Sequence, residues 1–291
     1  MSEKILKLGI PAGSLQKATI GLFGKAGFHI SNSERSYLPG IDDKQIKLIR
    51  LRAQEMGRYV ADGVLDAGIT GYDWIMENDC DVVDVCELAY SKATSNPARW
   101  VLAVPDESKV KDAKDLAGGI IATELVNVTR KYFREKNINV KVEFSWGATE
   151  VKARLVDAIV ELTETGSSLR ANELRVVDTV ITSTTRLIAN KQAWDDKFKR
   201  EKVENISILL NAAIEARSKV GLKMNIKKDD LESILKILPA EKSPTISSLA
   251  DEDYVAIEVI LEDNIERSLV PVLKRAGASG IITYPLNKVI H

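Results

Sequence analysis

Residues 157–169 read DAIVELTETGSSL. The apolar run Ala158-Ile159-Val160 predicts a strand through Leu162, with the carboxylate of Glu161 near its end and a helix opening at Leu169. Between strand and helix, Thr163, Thr165, Ser167 and Ser168 surround Gly166. Backbone N–H groups at a helix start, joined by Ser and Thr hydroxyls, form a neutral cradle for phosphate. The acids Asp157 and Glu161 flank the strand that leads into the loop and can accept hydrogen bonds from sugar hydroxyls. One phosphate plus one diol is what a ribose 5-phosphate presents. Without a ligand the same residues make a strand, a Ser/Thr turn and a capped helix, and residue chemistry alone leaves the two readings level.

The strand–turn–helix pattern recurs on both sides of this stretch. Strands are predicted over 5–10, 46–51 and 67–71, with helices over 14–26, capped by Ser14, and over 55–63. A second series begins at Trp100 and continues through strands over 119–122, 140–144, 158–162, 176–181 and 185–188, with a helix over 127–136. This alternation predicts α/β architecture with a largely parallel sheet. A long helix is expected over 193–217; its run of both charge signs at 195–202 reads as a solvated face. The remaining residues give strand 220–226, helix 229–238, strands 245–249 and 254–261, helix 263–276 and strand 279–284. That order, β-α-β-β-α-β, is the ferredoxin-like arrangement.

Composition narrows the chemistry. The 291 residues suggest about two domains. Lys plus Arg (41) nearly cancels Asp plus Glu (42), which argues against nucleic acid as a partner. The only histidines are His29 and His291, so His-rich zinc sites and most Ser-His-Asp arrangements are excluded. Cys80 and Cys86 lack CxxC spacing and read as reduced thiols. The absence of a signal-peptide core or of a long apolar window predicts a cytoplasmic protein without membrane association.

Three segments, in order, carry a family resemblance: LGIPAGSL at 8–15, DGVLDAGITG at 62–71 and ELTETGSSLRAN at 161–172. They are similar to the ATP phosphoribosyltransferase family, and 245–249 with Gly277-Ala278-Ser279 resemble the extra C-terminal domain of its long form. The resemblance runs over essentially the whole chain.

It implies two periplasmic-binding-protein-like (type II) α/β lobes with the active site between them, followed by a ferredoxin-like regulatory domain. The implied boundaries are 1–98 with 185–217, then 99–184, then 218–291. The implied reaction joins N1 of ATP to C1′ of phosphoribosyl diphosphate with loss of pyrophosphate, Mg2+ being held mainly by substrate oxygens. By the same resemblance, Asp157, Glu161, Thr163, Thr165, Gly166, Ser167, Ser168 and Leu169 hold phosphoribosyl diphosphate. Gly13, Ser14, Leu15, Arg50, Arg52, Gly71 and Glu150 border ATP, and Glu161, Thr163 and Arg52 are the catalytic candidates. Thr245, Ser247 and Gly280 are the candidate contacts for histidine as a feedback inhibitor. No metal ligand is assigned. The implied assembly is a homo-oligomer, dimer or hexamer, with AMP a further admissible ligand. The alternative is a non-catalytic two-lobed protein that binds a small molecule. Many relatives carry Lys where Ala12 stands, and some carry Arg where Ser14 stands, so the phosphates of ATP must find their positive charge elsewhere.

Overall fold

A computed structural model describes residues 4–31, 36–90, 97–239 and 244–290; His291 lies outside them. The chain forms two compact units, Met1–Ser207 and Ile208–His291, with the boundary inside the helix Lys197–Glu215.

The first unit contains two five-stranded sheets. One is built from β1 (Leu6–Ala12), β2 (Ile46–Arg52), β3 (Ala67–Gly71), β4 (Val83–Leu88) and β10 (Thr185–Ala189), in the order β2-β1-β3-β10-β4. The other uses β5 (Ala98–Pro105), β6 (Ile120–Thr123), β7 (Lys141–Phe144), β8 (Ala158–Thr163) and β9 (Leu174–Ser183), in the order β7-β6-β8-β5-β9. The chain thus leaves the first lobe after β4, builds the second, and returns through Thr184 into β10. Each sheet is mixed rather than largely parallel. β1 runs parallel to β2 and β3, and β6 parallel to β7 and β8, but β10 and β5 are antiparallel to both neighbours. The antiparallel strands are those next to the lobe crossings, where no helical crossover turns the chain round.

Local differences from the sequence reading have simple causes. Strand β1 continues through Pro11 and Ala12 in register with β2. Ser14 caps nothing with its side chain; it sits inside a 3-10 turn, Gly13–Leu15, and the helix proper is Gln16–Ala26. The expected long helix is two, Lys191–Asp195 and Lys197–Glu215, because Asp196 is extended. β4 escaped detection because it is an edge strand whose residues are mostly half-exposed. Among the described residues its one ladder is with β10, about a hundred positions later.

The second unit is antiparallel: β11 (Lys219–Lys227), β12 (Thr245–Ser248), β13 (Tyr254–Glu262) and β14 (Ser279–Pro285), in the order β12-β13-β11-β14. Leu222, Met224 and Ile226 share one face with Ile257, Val259 and Leu261, and that face packs on Ile234 and Leu273 of two helices. Each such side chain contributes roughly 1.5–3 kcal/mol by leaving water. Among the described residues, no helix is long and apolar enough to cross a membrane.

Candidate active site

A cleft of about 250 Å³ opens between the lobes of the first unit. Its walls are the carboxyl ends of parallel strands: Ala12 ends β1, Arg52 ends β2, Gly71 ends β3, Glu124 follows β6 and Glu161 lies near the end of β8. Ligands of open α/β sheets bind outside those ends, where side chains and helix starts converge.

Glu161 stands in the cleft wall, with its pKa pushed up to about 7. Burial is the main cause, and the carboxylates of Glu150 and Glu124 add to it. The hydroxyl of Thr149 and the Leu162 N–H, at 2.9 Å, partly offset both. Activity that needs ionised Glu161 is therefore expected to rise through a limb centred near pH 7. Above that pH the carboxylate is charged; below it the proton removes the charge. A kcat/KM–pH profile of the parent chain and of Glu161→Gln checks this, since that ratio reports groups of the free enzyme: the limb should vanish in the variant, and its persistence would assign it to another group.

The loop that follows is largely self-bonded. Buried Thr163 accepts the Gly166 N–H at 2.8 Å, and Thr165 donates to Ser167 at 3.0 Å. Gly166 has φ +72°, where a side chain would be strained and would meet the Arg170 guanidinium at 2.8 Å. Leu169 is buried with Ile159 and Leu174, so the far end of the loop is anchored in the lobe's core. The Ser168 hydroxyl donates to Glu150 at 2.5 Å.

Of the residues singled out from sequence, Gly13, Ser14, Leu15, Arg52, Gly71 and Glu161 line the cleft together. Thr163, Thr165, Gly166, Ser167 and Ser168 follow directly on from Glu161. The others stand elsewhere. Asp157 is at the opposite end of β8, on the order of 20 Å of strand from Thr163, where it accepts the Ile120 N–H at 2.8 Å. Arg50 shares a strand face with Arg52 but is only 4% exposed and does not line the cleft. Glu150 stands beside the Ser168 hydroxyl rather than on the cleft wall. In the second unit Thr245 and Ser247 lie on one edge strand and Gly280 on the other. Three strand spacings separate these edges, roughly 14 Å, too far for one small amino acid to bridge within a single chain.

Sequence reading missed Glu124, Gln54 and Thr149. Glu124 is pushed up by burial, against the Gln54 side chain and the charges of Arg52 and Lys152. Its signal was available: like Glu161, it is an acid at the carboxyl end of an apolar strand. Asp73 is almost fully buried and also pushed up by burial. Among the described residues, no three His, Cys, Asp or Glu side chains cluster closely enough to cage a metal ion.

Residues 52–212 match the family model described as ATP phosphoribosyltransferase, and 216–288 match that of the HisG C-terminal domain. The ATP phosphoribosyltransferase of Prosthecochloris aestuarii is 57% identical over 290 residues, 99% of each chain. That of Pelodictyon phaeoclathratiforme is 59% identical over 289 residues, 99% of this chain and 98% of its own. Among solved structures, the ATP phosphoribosyl transferase (HisG:HisZ) complex from Thermotoga maritima superposes with a TM-score of 0.62 at 29% identity. That match covers 72% of this chain and 99% of the other.

Proposed function

The chain belongs to the ATP phosphoribosyltransferase family, and on that premise we propose that it transfers the 5-phosphoribosyl group of phosphoribosyl diphosphate to N1 of ATP. The products are N1-(5-phosphoribosyl)-ATP and pyrophosphate, the committed step of histidine biosynthesis by a cytoplasmic pentosyltransferase. The observation that carries the reading is the pairing across one cleft of Glu161, which leads into the Thr165–Ser168 loop, with Gly13–Leu15 and Arg52 on the facing lobe.

The loop hydroxyls and N–H groups hold the 5-phosphate, and Glu161 accepts hydrogen bonds from the ribose diol. The adenine N1 lone pair is free, so no base has to remove a proton before attack. As the C1′–diphosphate bond lengthens, C1′ gains positive charge, and the ionised carboxylate of Glu161 stabilises it at short range in a site shielded from water. Arg52, at the end of β2, faces the triphosphate or the departing pyrophosphate. Holding both reactants in line supplies the rest of the acceleration. The carboxylates of the cleft do not form a metal cage. Mg2+ comes in this reading with the diphosphate, whose charge it neutralises, and no step above depends on a protein-held ion.

Removing the Thr165 or Ser168 hydroxyl should raise KM for phosphoribosyl diphosphate ten- to a hundredfold. A hydrogen bond to a charged group is worth about 1.5–3 kcal/mol. KM for ATP should stay within about twofold in Thr165→Ala and Ser168→Ala; equal effects on both substrates would remove the loop from the sugar-phosphate site.

The match of 216–288 to the HisG C-terminal domain supports regulation within the chain, as in the long form of the family. Histidine is the inhibitor in this reading. Because Thr245 and Ser247 stand on the opposite sheet edge from Gly280, their joint use calls for two copies of the chain, in keeping with a dimer or hexamer. AMP would occupy the nucleotide subsite as a competitor of ATP. The test is an assay of N1-(5-phosphoribosyl)-ATP and pyrophosphate, with histidine titrated in. Equimolar products, and inhibition weakened by Thr245→Ala or Ser247→Ala, are expected. Tight binding of both substrates without products would favour a binding protein instead.

A further inference from the structure

The short helix Tyr72–Glu77 grows out of β3, a strand of the first lobe, yet both of its ends are bonded to the second. At its start, the Tyr72 N–H donates to the Thr184 carbonyl at 2.9 Å, on the returning segment between the lobes. The Asp73 N–H donates to the Ser183 hydroxyl at 3.1 Å, and that hydroxyl donates back to Asp73 Oδ1 at 2.9 Å. The other carboxylate oxygen, Oδ2, accepts the Trp100 indole N–H at 2.6 Å. Ser183 ends β9 and Trp100 lies in β5, both strands of the second lobe. Trp74 meets the Trp100 ring edge to face, with centroids 5.8 Å apart.

At the far end, the Glu77 carboxylate accepts the N–H groups of Asn127 and Val128, at 2.9 and 3.0 Å. These belong to the first turn of the second-lobe helix Val126–Glu135, whose leading N–H groups have no partner within their own helix. The Asn127 side chain donates in turn to the Glu77 carbonyl at 3.0 Å. One six-residue helix is therefore pinned to the second lobe by a carboxylate at each end. The first of these is almost fully buried in the cleft wall, where it accepts from Trp74 of its own helix and from Trp100 and Ser183 of the second lobe.

We infer that the helix Tyr72–Glu77 is a strut that fixes the angle between the lobes, with Asp73 and Glu77 as positioning residues for the transfer. The inference rests on the transferase reading in that it takes each reactant to sit mainly on its own lobe. The strut, whose Asp73 and Trp74 also form part of the cleft wall, then sets the distance between attacking nitrogen and ribosyl carbon. A misplacement of about 1 Å can cost roughly a hundredfold in rate while leaving each reactant bound. The signature of a strut is accordingly a loss in kcat with little change in either KM.

The experiment uses the full chain with Glu77→Ala, Trp100→Phe, Asp73→Asn and the Trp100→Phe/Asp73→Asn pair. Each single variant should lose tenfold or more in kcat, with both KM values within threefold of the parent. The pair should lose less than the product of the single losses, since the Trp100 indole and Asp73 are donor and acceptor of one bond. Interlobe geometry is read independently of activity by spin labels at Lys25→Cys and Lys131→Cys, one exposed position per lobe, in a chain carrying Cys80→Ser and Cys86→Ser. A narrow distance distribution in the parent should broaden in Glu77→Ala and Asp73→Asn. Parental kcat in Glu77→Ala, losses carried by KM, or an unchanged distribution would overturn the strut. Glu77→Ala disturbs no buried ring, so it decides the matter if Trp100→Phe fails to fold. A parent chain that makes no product would overturn the transferase reading instead, and the spin-label arm would still judge the strut.

Discussion

Glu161→Gln is expected to lower kcat by roughly 10²–10³-fold, comparable to removing one preorganised group from a charge-stabilising site. The amide fills the same space and still accepts hydrogen bonds from ribose hydroxyls, so KM for phosphoribosyl diphosphate should change by no more than a few fold. What it lacks is the negative charge. That charge is costly to the free protein, because burial and the neighbouring carboxylates of Glu150 and Glu124 push the Glu161 pKa to about 7. A carboxylate so placed is repaid only when positive charge develops nearby, which happens as the ribosyl carbon parts from pyrophosphate. The loss should be largest above pH 7, where the parent is ionised, and should shrink toward pH 5, where both side chains are neutral. Steady-state kinetics across that range check it; a pH-independent loss would mean that the residue acts through shape rather than charge.

Gly71→Ala should destabilise the first unit by about 3 kcal/mol, although the backbone itself would accept alanine. Gly71 has φ −78° and ψ 146°, an ordinary extended conformation. The obstacle is spatial: an added Cβ would lie 2.0 Å from Asp73 Oδ1. That oxygen cannot turn away cheaply, because the carboxylate holds the Ser183 hydroxyl and the Trp100 indole in a nearly dry site. Moving it leaves buried donors without their acceptor, at about 1–3 kcal/mol each. Chemical denaturation of Gly71→Ala measures the loss. Repeating it in an Asp73→Ala background tells whether the collision is the cause. There the same substitution should cost less than about 1 kcal/mol, and an equal cost in both backgrounds would sink the explanation.

Sequence alone carried much of this architecture where local pattern decides structure. The run Ala158-Ile159-Val160, the glycine turn at Gly166 and the β-α-β-β-α-β order near the C-terminus are all set by neighbours in the chain, and they appear at the expected places. What escaped depends on partners distant in sequence. Among the described residues β4 pairs with β10 alone, across the whole second lobe, and β5 pairs with β9 about eighty residues later. Asp157 and Glu161 looked alike as acids beside one loop, but the length of an extended strand places them at opposite ends of it. Arg50 and Arg52 share a face, yet only the second stands at the end of the strand and reaches the cleft. The value of Asp73 was invisible because its partners, Trp100 and Ser183, lie 27 and 110 residues away.

The proposed transfer requires the two lobes to present phosphoribosyl diphosphate and ATP to each other across one cleft. It is tested most directly by mixing the purified full chain with both substrates and Mg2+ and quantifying nucleotide product and pyrophosphate together. Pyrophosphate and N1-(5-phosphoribosyl)-ATP should appear in a one-to-one ratio, only when both substrates are present, and at a rate that Glu161→Gln reduces about a hundredfold or more. Pyrophosphate released without ATP, or a nucleotide product whose rate is indifferent to Glu161, would contradict the account.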